Sequence, residues 1–133
     1  MRGLSRAHEQ HIRDLLESCE LPRDALPYTE EFEDLKERFW ERSFKKLEDS
    51  EFWQLIANVG KRGGIRGKRA IRAPYLTDEQ KQVLRRLVPL PLGKRDGLPY
   101  TDKFHKLVDR FNALTGLGLD RRQVWLAVLS LAK

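Results

Sequence analysis

Cysteine and methionine are nearly missing from this chain: it has one of each in 133 residues. The lone Cys19 excludes an internal disulfide and suits a reducing compartment. No apolar run approaches the length of a bilayer span. The opening MRGLSRAHEQ lacks the apolar stretch of a secretory leader. The expected location is therefore the cytoplasm, with no membrane partner. β-branched residues are scattered and do not alternate with polar ones, so strands are not favoured and the expected class is all-α.

Chemical signatures are also scarce. There is no zinc-finger spacing, no Gly-rich phosphate loop and no aromatic RNA-recognition motif. No Ser/His/Asp grouping is evident. Cys19 lacks a His or Asn partner in a recognisable arrangement, so nucleophilic catalysis is not expected. His8 and His11, three apart with Glu9 between them, are the nearest approach to a metal pair, but no third ligand accompanies them. The expectation is a non-enzymatic protein with no cofactor, no metal and no small-molecule substrate.

What the chain does have is a repeat. LPYT occurs at 26–29 and again at 98–101, an offset of 72. With that shift, residues 4–61 align with 76–133 without a gap, at 17 identities in 58 pairs. Phe32, Leu35, Arg38, Phe39 and Trp53 fall on Phe104, Leu107, Arg110, Phe111 and Trp125. The pattern reads as a tandem duplication: a first unit over 4–61, a basic Gly-containing segment over 62–75, and a second unit over 76–133.

Each unit reads as three helices, resembling a helix-turn-helix in outline. Thr77 with Gln80, and Asp120 with Gln123, have the spacing of a capping box. Thr29 and Thr101 stand where they can cap the second helix of each unit, with Pro-Tyr before them expected to be extended. Phe32, Leu35 and Phe39 recur at i, i+3 and i+7, one face of a helix. Trp53 and Trp125 are expected in the core. Repeat-matched Arg23–Asp24 and Arg95–Asp96 are expected to fix the loop entering the second helix. Trp40 aligns with Asn112 and reads as a contact or docking residue.

Charge divides the chain unevenly. Residues 4–59 carry 14 acids against eight Arg or Lys, a net charge of −6. Residues 60–75 carry six cations and no acid, and residues 76–133 carry a net charge of +5. The basic segment reads either as a flexible connector or as a short β-hairpin, with Ile65 and Ile71 on one side. A hairpin there would make a wing after the first unit.

A basic balance favours an acidic partner. The first turn of the last helix carries Arg121, Arg122 and Gln123, residue types that reach phosphates and base edges, whereas the first unit has Asp49, Ser50 and Glu51 there. The preferred reading is a nucleic-acid-binding protein, with DNA ahead of RNA. Its contact residues are Arg62, Arg66, Lys68, Arg69, Arg72, Arg121, Arg122 and Gln123. The alternative is a protein–protein adaptor whose acidic first unit docks a basic partner through Glu48, Asp49, Glu51 and Trp40.

Overall fold

The structure, a computed structural model, describes residues 6–44, 46–59, 72–89 and 91–131. The chain divides into two compact units, Met1–Ile71 and Arg72–Lys133. The described residues are all-helical and contain no strand. The hairpin considered for the basic segment falls on residues outside those described. Among the described residues no helix is long and apolar enough to cross a membrane.

The first unit contains α1 (Arg6–Ser18), a 3₁₀ turn (Arg23–Ala25), α2 (Glu30–Ser43) and α3 (Asp49–Val59). The second contains α4 (Asp78–Leu87), a 3₁₀ segment (Leu92–Gly97), α5 (Asp102–Thr115) and α6 (Arg121–Leu131). In the first unit α1 packs on α2 and α3; in the second α4 packs on α5 and α6, and α5 on α6.

Local chemistry sets the boundaries. The Thr29 hydroxyl accepts from the Phe32 amide at 3.1 Å, and that of Thr101 accepts from the Phe104 amide at 3.2 Å. Each hydroxyl also donates to the carbonyl of Leu26 or Leu98 at 2.6 Å. Glu30, Glu31 and Glu33 then occupy the first turn of α2, where the helix dipole favours carboxylates. Both sequence-predicted capping boxes are present, Thr77–Gln80 at α4 and Asp120–Gln123 at α6. Replacing Thr29 or Thr101 with alanine is expected to cost about 1 kcal/mol, with serine retaining most of it, as read from chemical denaturation.

The Pro-Tyr step departs from expectation. Tyr28 and Tyr100 are left-handed, with φ of 66° and 65°, rather than extended. The amides of Thr29 and Thr101 donate back to the carbonyls of Leu26 and Leu98 at 3.2 Å in each unit. LPYT is thus a reverse turn with proline second and a positive φ third, the place usually given to glycine. The turn delivers the threonine directly to the capping position.

The two cores are built alike. Phe32, Phe39, Trp53, Phe104, Phe111 and Trp125 are all fully buried. Phe52 joins Phe32 and Phe39 with ring centroids 5.4 and 5.6 Å apart, and Phe104 meets Trp125 edge-on at 6.2 Å. Arg23 pairs with Asp24 as expected and also donates to the Ala57 carbonyl at 2.9 Å, tying the 3₁₀ turn to the last turns of α3.

Candidate nucleic-acid interface

The first turn of α6 holds three of the sequence-predicted contacts, and they differ in freedom. Arg121 is exposed. Arg122 is half-buried, and its Nε is buried without a hydrogen-bond partner. Gln123 is exposed, but its Oε1 accepts from the Asp120 amide at 3.0 Å. A glutamine reading adenine needs its oxygen as well as its amide N–H, so only the donor half of Gln123 is left for that work. Arg72 is exposed. Arg62, Arg66, Lys68 and Arg69 lie outside the described residues.

The structure adds cations that belong to no motif. Lys81 and Arg86 on α4, and Lys103 and Lys106 on α5, are exposed. Neither these four nor Arg121 forms an ion pair or side-chain hydrogen bond with a described residue. At an offset of 72 their counterparts are Glu9, Asp14, Glu31, Asp34 and Asp49, so five positions exchange an acid for a base. One position, Arg6 against Asp78, exchanges the other way. The signal that finds them in the sequence is a position-by-position reading of charge across the aligned units, rather than a search for motifs.

In the first unit two of these positions, Asp34 and Asp49, are paired with cations. Arg38 pairs with Asp34 at 3.1 Å along α2, whereas Arg110 on α5 has Lys106 at the matching place. Lys36 pairs with Asp49 across α2 and α3 and lies 3.5 Å from Glu33. Burial and the neighbouring Asp49 push the Glu33 carboxyl above its ordinary value, against the pull of Lys36. In the second unit these three positions hold Val108, Arg121 and His105. Burial and the Arg121 charge hold His105 below its ordinary value of 6.5, opposed by Asp102 and Asp109.

That coupling gives a pH test. Because the folded value of His105 is depressed, its contribution to stability is full above 6.5 and is lost as pH falls through the folded value. Arg121→Gln removes one of the two depressing causes. His105 is then expected to titrate at higher pH by NMR, and the second unit to lose less stability on acidification.

Residues considered for the adaptor reading are placed as follows. Asp49 is engaged by Lys36, and the Glu51 Oε1 accepts from the Glu48 amide at 3.0 Å. Glu48 is exposed, and Trp40 is 46% exposed. His8 and His11 both pack on Phe39, edge-on at 6.0 Å and stacked at 5.6 Å. Burial, followed by the Arg42 charge, lowers the His11 value, partly offset by Asp14. Among the described residues no group of three or more His, Cys, Asp or Glu is placed to hold a metal ion. No family model matches the chain, and no curated protein or solved structure matches it either.

Proposed function

We propose that the chain is a tandem duplication of a three-helix unit, and that its second copy, with the basic segment before it, binds nucleic acid without catalysing a reaction. The observation that carries this reading is the set of five exposed cations at Lys81, Arg86, Lys103, Lys106 and Arg121, each standing where the first unit has an acid. Exposed cations without an acid partner among the described residues are ready to replace the counterions condensed on phosphates. Duplex DNA is the preferred partner.

Roles divide by chemistry. Lys81, Arg86, Lys103 and Lys106 neutralise phosphates, as do Arg72 and the cations of the segment before it. Arg121 and Arg122 stand at the N-terminus of α6, where the helix dipole adds positive potential. In a helix-turn-helix arrangement that end enters the major groove, and arginine is the residue that pairs with guanine through two parallel hydrogen bonds. The first unit places Asp49 and Glu51 in the equivalent turn, where phosphates would be repelled.

The test is a gel shift of the whole protein with duplex DNA, single-stranded DNA and RNA at low and high salt. A shift that weakens steeply with salt supports phosphate-driven binding. No shift with any of the three at low salt rejects it.

A further inference from the structure

Two first-unit positions abandon solutions that the second unit uses for folding. In the second unit, Asn112 clasps the loop after α5: its Nδ2 donates to the Leu119 carbonyl at 2.8 Å, and its Oδ1 accepts from the Leu119 amide at 2.9 Å. Gly116 then ends α5 with φ of 72°, the left-handed conformation glycine adopts without strain. The counterpart of Asn112 is Trp40, and that of Gly116 is Phe44.

Phe44 adopts the same left-handed conformation, with φ of 58°, although a Cβ makes it costly. Its side chain is 84% exposed. The ring therefore buries almost nothing that could offset the conformation. Trp40, one helical turn earlier, is 46% exposed.

The setting of these two rings selects a partner. Residues 37, 40 and 41 follow the i, i+3, i+4 spacing of a single face of α2, and Phe44 follows just beyond its C-terminus. That face carries Glu37, Trp40 and Glu41, and these three and Phe44 are all exposed. Neither Glu37 nor Glu41 forms an ion pair with a described residue. Arg42, two positions on from Trp40, falls off that face by helical spacing, and its charge is felt by His11 on α1. Lys36 is held by Asp49. Exposed Lys46 is the described cation beyond the end of the helix. The carboxylates beside Trp40 repel phosphates, which disfavours stacked nucleotides and anionic lipid. The rings and carboxylates together suit a guanidinium, which lies flat on an indole and forks onto a carboxylate.

We infer that the Glu37–Trp40–Glu41 face of α2, with Phe44 just beyond its end, is a docking site for an arginine-bearing peptide segment of a partner protein. The site lies in the first unit, shares no residue with the proposed nucleic-acid contacts and does not rest on that reading.

Trp40 reports on its own site, because Trp53 and Trp125 are fully buried. A short capped peptide of alternating arginine and alanine is titrated into the whole protein while tryptophan emission and its quenching by acrylamide are followed. The arginine peptide is expected to shift the emission and shield Trp40, and a glutamate–alanine peptide to do neither. In calorimetric titrations, which do not depend on Trp40 as reporter, Trp40→Asn and Phe44→Gly, which install the second-unit residues, are each expected to weaken binding by about tenfold, the size of one desolvated cation–aromatic contact. Phe44→Gly is also expected to raise the thermal midpoint, a readout that a structural role for Phe44 would reverse. The inference is overturned by a lowered midpoint in Phe44→Gly or by absence of arginine-peptide binding. Equal binding to wild type and both variants overturns it as well. So does shielding of Trp40 by a single-stranded oligonucleotide or by raised protein concentration alone, which would assign the face to bases or to a second copy.

Discussion

Trp125→Ala is expected to destabilise the second unit by about 3–5 kcal/mol, and Trp53→Ala to do the same to the first. Both indoles are fully buried. Trp125 stands edge-on to Phe104, so its removal opens a cavity and also ends an aromatic contact. A unit of this size holds only about 3–9 kcal/mol in total, so a single truncation removes a large share of it. Phe32→Ala, Phe39→Ala, Phe104→Ala and Phe111→Ala belong to the same class, since each ring is fully buried. Trp40→Ala is the control. Trp40 is 46% exposed, so the change is expected to cost only about 1 kcal/mol. Denaturant titrations of the three tryptophan variants separate the two groups. A loss from Trp40→Ala as large as that from Trp125→Ala would contradict the burial pattern.

Much of the helical framework is readable in the residues. Apolar spacing at Phe32, Leu35 and Phe39 marks a helix face, and threonine and aspartate caps mark the starts of α2, α4, α5 and α6. These signals are local, and local chemistry decides where a helix begins. The LPYT turn reads as extended because tyrosine rarely adopts positive φ, and only the fold shows that it does so here. Lys36 and Asp49 lie 13 positions apart, so their pairing depends on the packing of α2 on α3. Gln123 fits two roles in the sequence, cap and base reader, and its hydrogen bond to Asp120 shows that the cap takes its oxygen. An exposed phenylalanine has no sequence signature, so the oddity of Phe44 appears only when its backbone is compared with that of Gly116. The cations of α4 and α5 enter the net charge, but a total carries no positions, and their placement needs the helices.

Returning Lys81, Arg86, Lys103, Lys106 and Arg121 to the first-unit residues Glu, Asp, Glu, Asp and Asp is expected to weaken duplex DNA binding by more than about a hundredfold at 0.1 M salt. Removing one cation–phosphate pair lowers the salt slope by close to one unit, which at that concentration is near tenfold in affinity. All five side chains are exposed, so the fold should survive, and circular dichroism checks it. Charge alone is controlled by reversing five exposed cations of the first unit, Arg6, Arg13, Arg38, Arg42 and Lys46, which changes the net charge equally. Most binding is expected to remain in that control. Arg121→Gln alone should in addition alter which sequences bind best, by about 1–3 kcal/mol of discrimination, if its guanidinium reaches a base edge.

The most direct measurement is the affinity of the unaltered protein for a short DNA duplex across a salt series. The five exchanged cations contribute about −4 to −5 to the slope of log K on log salt, or roughly a 500-fold loss between 50 and 200 mM, and the cations of the basic segment steepen it further. A slope at least that steep, becoming shallower by about 4 to 5 units in the five-residue variant, is the expected result. Absence of binding at low salt, or an affinity indifferent to salt, would contradict the proposal that the second unit holds nucleic acid through its exchanged charges.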